Sequence, residues 1–146
     1  RIEATVGVPD WVVVLEESYP FRSPHMLYAM IRQLVAEGLD TVMAAKRETR
    51  GIWLEQNGET RLLGEGFMPR GLKQTHAMVG LTGLACITHP MFIRQGDMRG
   101  GRLGIFEVID PLASIEVRDA ATAELAAKMI DAWWVQHDIN AERDRL

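Results

Sequence analysis

The stretch Trp11–Lys46, WVVVLEESYPFRSPHMLYAMIRQLVAEGLDTVMAAK, decides the fold class. Its first five residues form a continuous, largely β-branched apolar run, the pattern of a strand covered on both faces. Ser23 stands where a helix cap belongs. Pro24 suits the first helical position, because its φ is already helical and its missing N–H would have had no partner there. Met26, Leu27, Met30, Ile31, Leu34 and Val35 then recur at three-four spacing along one helix face until Gly38 ends it. Asp40–Lys46, DTVMAAK, supplies a second apolar strand. A strand, a helix and a strand joined by short connections predict two parallel strands and a right-handed crossover. The carboxyl edge of such a sheet is where ligands ordinarily sit.

Downstream the signals change. Ile52–Gln56 and Thr60–Leu63 flank Asn57-Gly58, a turn dipeptide that accepts positive φ at both positions, so an antiparallel hairpin is expected. Gly64–His76, GEGFMPRGLKQTH, reads as an exposed loop carrying Arg70 and Lys73, long enough to suggest a binding role. Ala77–His89 reads as a buried strand interrupted by Gly80 and Gly83, where a backbone can approach a ligand closely. Pro90 opens a short turn or helix through Arg94. Gly100–Asp110 and Ser114–Val117 are read as two more strands. Asp119 is placed to cap a final helix reaching about Val135, with Leu125, Ala126, Met129, Ile130 and Trp133 on one face. No repeat or linker divides residues 1–146, which read as one α/β domain.

Composition narrows the function classes. The 16 Lys and Arg residues are scattered against 20 Asp and Glu, giving a formal charge of -4, so no basic stripe marks a nucleic-acid partner. The longest apolar runs fall well short of the roughly 20 residues of a membrane span, and no signal-peptide pattern opens the chain. These features predict a soluble, cytoplasmic protein with neither nucleic acid nor membrane as partner. Cys86 is the single cysteine and lies in an apolar run, so it is expected to be a small core residue. The four histidines form no metal-ligating motif and are read as surface or loop residues. Trp133-Trp134 reads as one ring packed on the sheet and one partly exposed.

Two clusters stand out as candidate sites. EESYPFR gathers Glu16, Ser18 and Arg22 at the end of the first strand. IEVRD (115–119) places Glu116 before a helix, where its carboxylate offers oxygen ligands to a hard cation such as Mg²⁺. Capping by Asp119 and plain solvation of Glu116 explain the second cluster equally well.

The order of these features resembles the acylneuraminate cytidylyltransferase family, which activates sialic acid and 3-deoxy-octulosonate with CTP. Residues 11–46 are similar to the segment around that family's LQPTSPLR motif. MPRGLKQTHAMVGLTGLACI (68–87) is similar to its RRQxLP and ENGAIYI stretch, and GGRLGIFEVIDPLASIEVRDAATAELAAKMI (100–130) to its closing SIDIDTxxDxxxAE run. The resemblance implies a mainly parallel, Rossmann-like nucleotidyltransferase sheet with an antiparallel hairpin insertion. It implies substrate-binding roles for Glu16, Ser18, Arg22, Arg70, Lys73 and Thr82, and a Mg²⁺-side carboxylate in Glu116. Nucleotide and sugar-acid ligands follow from it, as does a homodimer joined near residues 64–76. In the implied reaction a sugar-acid hydroxyl attacks the α-phosphate of CTP, giving a CMP-sugar and pyrophosphate. Two departures count against turnover. Arg118 replaces the second metal-binding aspartate, and no glycine-rich phosphate loop precedes Trp11. The chain is thus expected to be either the carboxyl-terminal two-thirds of a longer enzyme or a relative that binds without catalysing.

Overall fold

The computed structural model describes residues 7–63 and 77–137, arranged as a five-stranded mixed sheet with helices and a separate two-stranded ribbon. The elements run β1 (Val12–Val14), α1 (Pro24–Glu37), β2 (Thr41–Glu48), β3 (Ile52–Gln56), β4 (Glu59–Leu63), β5 (Ala77–Gly80), β6 (Cys86–Thr88), α2 (Pro90–Arg94), β7 (Leu103–Glu107) and α3 (Ala120–Gln136). The α/β class matches the sequence reading, and so does the element order except at Ala77–His89 and Ser114–Val117. The pairing does not.

β2 is the centre of the sheet. Thr41 pairs with both Thr88 and Leu103, and Ala45 with both Gly80 and Glu107, so β5 and β6 share one side of β2 while β7 occupies the other. Of these ladders only β2–β7 is parallel; β1–β6, β2–β5 and β2–β6 are antiparallel. The expectation of a mainly parallel sheet is therefore corrected. β1 and β2 do run in the same direction, but β6 is inserted between them, and β1 is a three-residue edge strand. Trp11, Val13 and Leu15 are 41–42% exposed. Their exposure follows from where α1 lies: its Met30 and Leu34 pack on Val42, Ala44 and Ile87, and Gln33 reaches the Ile105 carbonyl on the far edge. An apolar run alone does not reveal how much of a strand its neighbours cover.

Ala77–His89 is likewise two short strands with a turn between them. Ala44 N–H donates to Ala85, and Leu81 N–H donates back to Ala44, so the turn is pinned against β2 at both ends. Ser114–Val117 is not a strand. Among the described residues its one long-range backbone bond runs from Val117 N–H to Ser18 O, while Ile115 and Val117 pack against the Phe21–Trp133 cluster.

Local punctuation is as the sequence predicts. Gly38 ends α1 in the left-handed conformation at φ 59°, and its N–H returns to the last turn. Asn57 and Gly58 carry φ of 55° and 79° in the hairpin turn. Asp119 caps α3 by accepting from Thr122 N–H at 2.8 Å, while the Thr122 hydroxyl accepts from Asp119 N–H at 3.1 Å. Cys86 is fully buried. The main core lies between α1 and the sheet. A second, smaller core joins α3 to the loop after β1 through Phe21, Ala126 and Trp133. Among the described residues no helix is long and apolar enough to cross a membrane.

Candidate functional site

The loop after β1 folds back onto the turn before β6. Glu16 N–H donates to the Gly83 carbonyl at 2.8 Å, which extends the edge of the sheet by one bond. Arg22 then ties the two segments together. Its Nε donates to Leu84 O at 2.6 Å, and its Nη2 to Glu16 O at 2.6 Å and Gly83 O at 3.2 Å. A rigid guanidinium fork can serve three carbonyls from two of its nitrogens, where an ammonium is a single point donor. Partial burial lowers the pKa of this guanidinium. Gly83 is needed for closeness: a Cβ there would lie 2.5 Å from the Glu16 carboxylate carbon and 2.9 Å from the Tyr19 ring. Thr82 immediately precedes it in the turn.

The third segment arrives from the other end of the sequence. Val117 N–H donates to Ser18 O at 2.8 Å. Tyr19 is buried in the main core, and its phenol hydrogen-bonds the Glu116 carboxylate. Glu116 is in turn paired with Arg118, Nη2 to Oε2 at 2.6 Å. The Glu116 side chain is 22% exposed and that of Arg118 is 75% exposed. The guanidinium, and secondarily the phenol, hold the Glu116 carboxyl below the usual carboxylate range. Burial first, then the negative charge of Glu116, push the Tyr19 phenol up. The Glu16 carboxylate acts on Tyr19 and Arg118 through its charge, and its oxygens take no hydrogen bond among the described residues.

Three stretches far apart in the chain thus meet at one place, and the meeting brings Glu16, Ser18, Arg22, Thr82 and Glu116 together. The roles differ from those expected. Arg22 spends its Nε and Nη2 donors on backbone carbonyls and acts as a bracket. Ser18 contributes its carbonyl, and its hydroxyl oxygen is buried without a partner among the described residues. Arg70 and Lys73 lie outside the described residues.

Glu116 does not fit a Mg²⁺ ligand as placed. Its carboxylate is taken by a guanidinium and a hydroxyl, and Arg118 holds the position of the second expected carboxylate. A fixed positive charge at 2.6 Å opposes a divalent cation at the same oxygens. Among the described residues no three His, Cys, Asp or Glu side chains converge as a metal set.

Tyr19 was missed as a partner in the site. The available signal for Tyr19 was an aromatic residue set inside a polar loop, between Ser18 and Pro20. A further feature had no signal in the sequence: an apolar hollow of about 200 Å³ between the start of α1 and the end of β7, lined by Ser23, Met26, Phe106, Val108, Ile109 and Ala113. The tryptophan pair is split as expected, Trp133 buried and Trp134 half-exposed, but Trp133 packs edge-on against Phe21 at 5.9 Å rather than on the sheet. His89 caps α2 by accepting from Met91 N–H, and His137 stacks on Trp133.

No protein-family model matches the chain, and no curated protein matches it.

Proposed function

We propose that the chain holds a sugar acid and a cytidine nucleotide in a nucleotidyltransferase-type site, as do the enzymes that transfer CMP from CTP to a sugar acid such as an acylneuraminate. One observation carries this reading: the three stretches that resemble that family's motifs, separated by some sixty and thirty residues, are joined around Gly83 by the Glu16–Gly83, Arg22–Leu84, Val117–Ser18 and Tyr19–Glu116 contacts. Motifs that merely look alike have no reason to converge. On this reading the mixed sheet is a variant of the Rossmann-like nucleotidyltransferase sheet, with β6 as its antiparallel member, and the Glu16–Arg118 surface faces the ligand.

The test is pyrophosphate release from CTP with N-acetylneuraminate or 3-deoxy-octulosonate, alongside calorimetric titration of each compound. Turnover supports the transferase. Failure of every one of these compounds to bind removes the reading altogether. A second reading, binding without turnover, is favoured by the Arg118–Glu116 pair, which places a cation where the transferases are expected to hold a metal. Saturable binding without pyrophosphate release is its expected outcome.

A homodimer is part of the proposal. The β3–β4 ribbon stands apart as its own two-stranded sheet, contributes nothing to either buried core, and exposes Trp53 and Leu63. Two strands alone are marginal in water, and pairing with a second copy would cover them. Sedimentation at micromolar concentration should give the mass of a dimer, and W53E should shift it towards the monomer.

A further inference from the structure

The misfit between Glu116 and Mg²⁺ has a chemical consequence for the ligand. We propose that this site recognises the carboxylate of a sugar acid directly on Arg118, with no divalent cation between them, while Glu16 accepts hydrogen bonds from the hydroxyls of the same sugar. The inference rests on the reading of the site as a sugar-acid site, and deepens it.

Among the described residues of the cluster, Arg118 is the more exposed cation and the one not tied to backbone carbonyls. Arg22 directs its Nε and Nη2 to the carbonyls of Glu16, Gly83 and Leu84. Arg118 spends Nη2 on Glu116 Oε2, and its side chain is three-quarters exposed. A guanidinium has five N–H donors in a plane, so it can keep one carboxylate behind it and take a second in front. Glu116 is well suited to the rear position. It is mostly buried, it also accepts from the core phenol of Tyr19, and its main chain is fixed by the Val117–Ser18 bond one residue on. The Arg118 backbone is held too, because its N–H donates to the Thr122 hydroxyl at 3.0 Å in the cap of α3. The cation is therefore carried on a braced platform, which lowers the ordering cost that a free surface arginine meets on binding.

Charge selects among anions. Arg22 brings the summed charge of Glu16, Glu116 and Arg118 to zero, and the two carboxylates beside Arg118 repel a multiply charged phosphate more than a single carboxylate. A monoanion whose carboxylate meets Arg118 and whose neutral hydroxyls meet Glu16 avoids most of that penalty. An ionised carboxylate is an acceptor only, so Glu16 suits hydroxyl donors. Carboxylate plus adjacent hydroxyls is the chemistry of a sugar acid; a ribose offers hydroxyls without the carboxylate.

The experiment is calorimetric titration of the full chain with N-acetylneuraminate, with N-acetylmannosamine, which lacks the three-carbon carboxylate-bearing unit of that acid, and with CMP, each in MgCl₂ and in EDTA. The expected result is equal affinity for the sugar acid in both buffers and a roughly tenfold or greater loss in R118Q, the scale of one charge-assisted contact. E16Q should weaken the sugar acid and N-acetylmannosamine by the same factor, and R118Q should leave N-acetylmannosamine unchanged. R118K, which keeps the charge and loses the fork, should fall between wild type and R118Q. Circular dichroism of each variant shows that the fold is retained. Binding that appears only with MgCl₂ overturns this inference and leaves the sugar-acid reading standing, as does wild-type affinity in R118Q. Binding of CMP but not of the sugar acid also overturns it. No binding of any compound in either buffer overturns both.

Discussion

Arg22→Ala removes the bracket between the loop after β1 and the turn before β6, and its cost can be worked from the contacts. Two carbonyls accept at 2.6 Å and a third at 3.2 Å. A hydrogen bond with one charged partner contributes about 1.5–3 kcal/mol net. The two short bonds count near the middle of that range and the long one near zero, and partial exposure lets water replace some of the loss. The expected destabilisation is about 3–4 kcal/mol, a large share of the roughly 5–15 kcal/mol that holds a domain together. R22K should recover about one bond, since an ammonium is a point donor that cannot span three carbonyls. Urea unfolding followed by tryptophan fluorescence reads this directly. With a slope of about 2 kcal/mol/M, the R22A midpoint should fall by roughly 1.5–2 M. A loss under about 1 kcal/mol, or full rescue by lysine, refutes the bracket. Unchanged stability with lost sugar-acid affinity would return Arg22 to the ligand-binding role that its position in the motif suggested.

Three further outcomes follow from the same geometry. G83A places a methyl group 2.5 Å from the Glu16 carboxylate carbon, so it should destabilise by about 1–3 kcal/mol and weaken sugar-acid binding through displacement of Glu16; wild-type stability and affinity together would contradict the close packing. F21A empties the contact with Trp133 that joins α3 to the site loop and should cost about 3–5 kcal/mol in thermal or urea unfolding, whereas a loss near zero would mean that α3 is held elsewhere. Tyr19 should ionise late: its phenol is raised above 10.0, so the folded state prefers the neutral form, and its contribution is intact below about pH 10 and lost as pH rises through the raised value. Phenolate absorbance should show a late step that Y19F abolishes; a titration without one contradicts the Glu116 contact.

Helices and turns were legible because their signals are local. Pro24 and Gly38 bound α1, Asn57-Gly58 closes the hairpin, and Asp119 with Thr122 starts α3, each through groups within a few residues of one another. Sheet order was not legible, because it depends on bonds between distant segments. β6 separates β1 from β2 through registers such as Val13 with Ile87 and Val42 with Ile87, and nothing in WVVVL distinguishes an edge strand from a central one. The expectation that Glu16 and Glu116 share one cleft came from the family resemblance and not from any local signal. The use of Arg22 could not be anticipated: arginine in a polar loop looks like a ligand contact until the carbonyls around it are known. Ser114–Val117 shows the reverse case, since its residues suggest a strand while the bond from Val117 to Ser18 is the one long-range backbone bond it makes among the described residues.

That division of labour bears on whether the cluster is a site or only a structural knot. Main-chain carbonyls do most of the accepting: among the described residues, those of Gly83, Leu84, Glu16 and Ser18 take the bonds from Arg22, Glu16 N–H and Val117 N–H that tie the three segments together, beside the Tyr19–Glu116 contact. A knot built for stability alone has no need of a carboxylate held against Gly83 with no hydrogen bond among the described residues, nor of a guanidinium held out from a half-buried glutamate. Aligning Glu16 and Arg118 on a braced backbone costs desolvation and side-chain entropy that exposed pairs scarcely return, since such pairs contribute about 0–1 kcal/mol. Replacing both by neutral residues should therefore leave unfolding nearly unchanged, in contrast to Arg22 and Gly83. If E16Q/R118Q unfolds well below wild type, the cluster is structural; if it unfolds with wild type and no longer binds a sugar acid, these two side chains are held in place for a ligand.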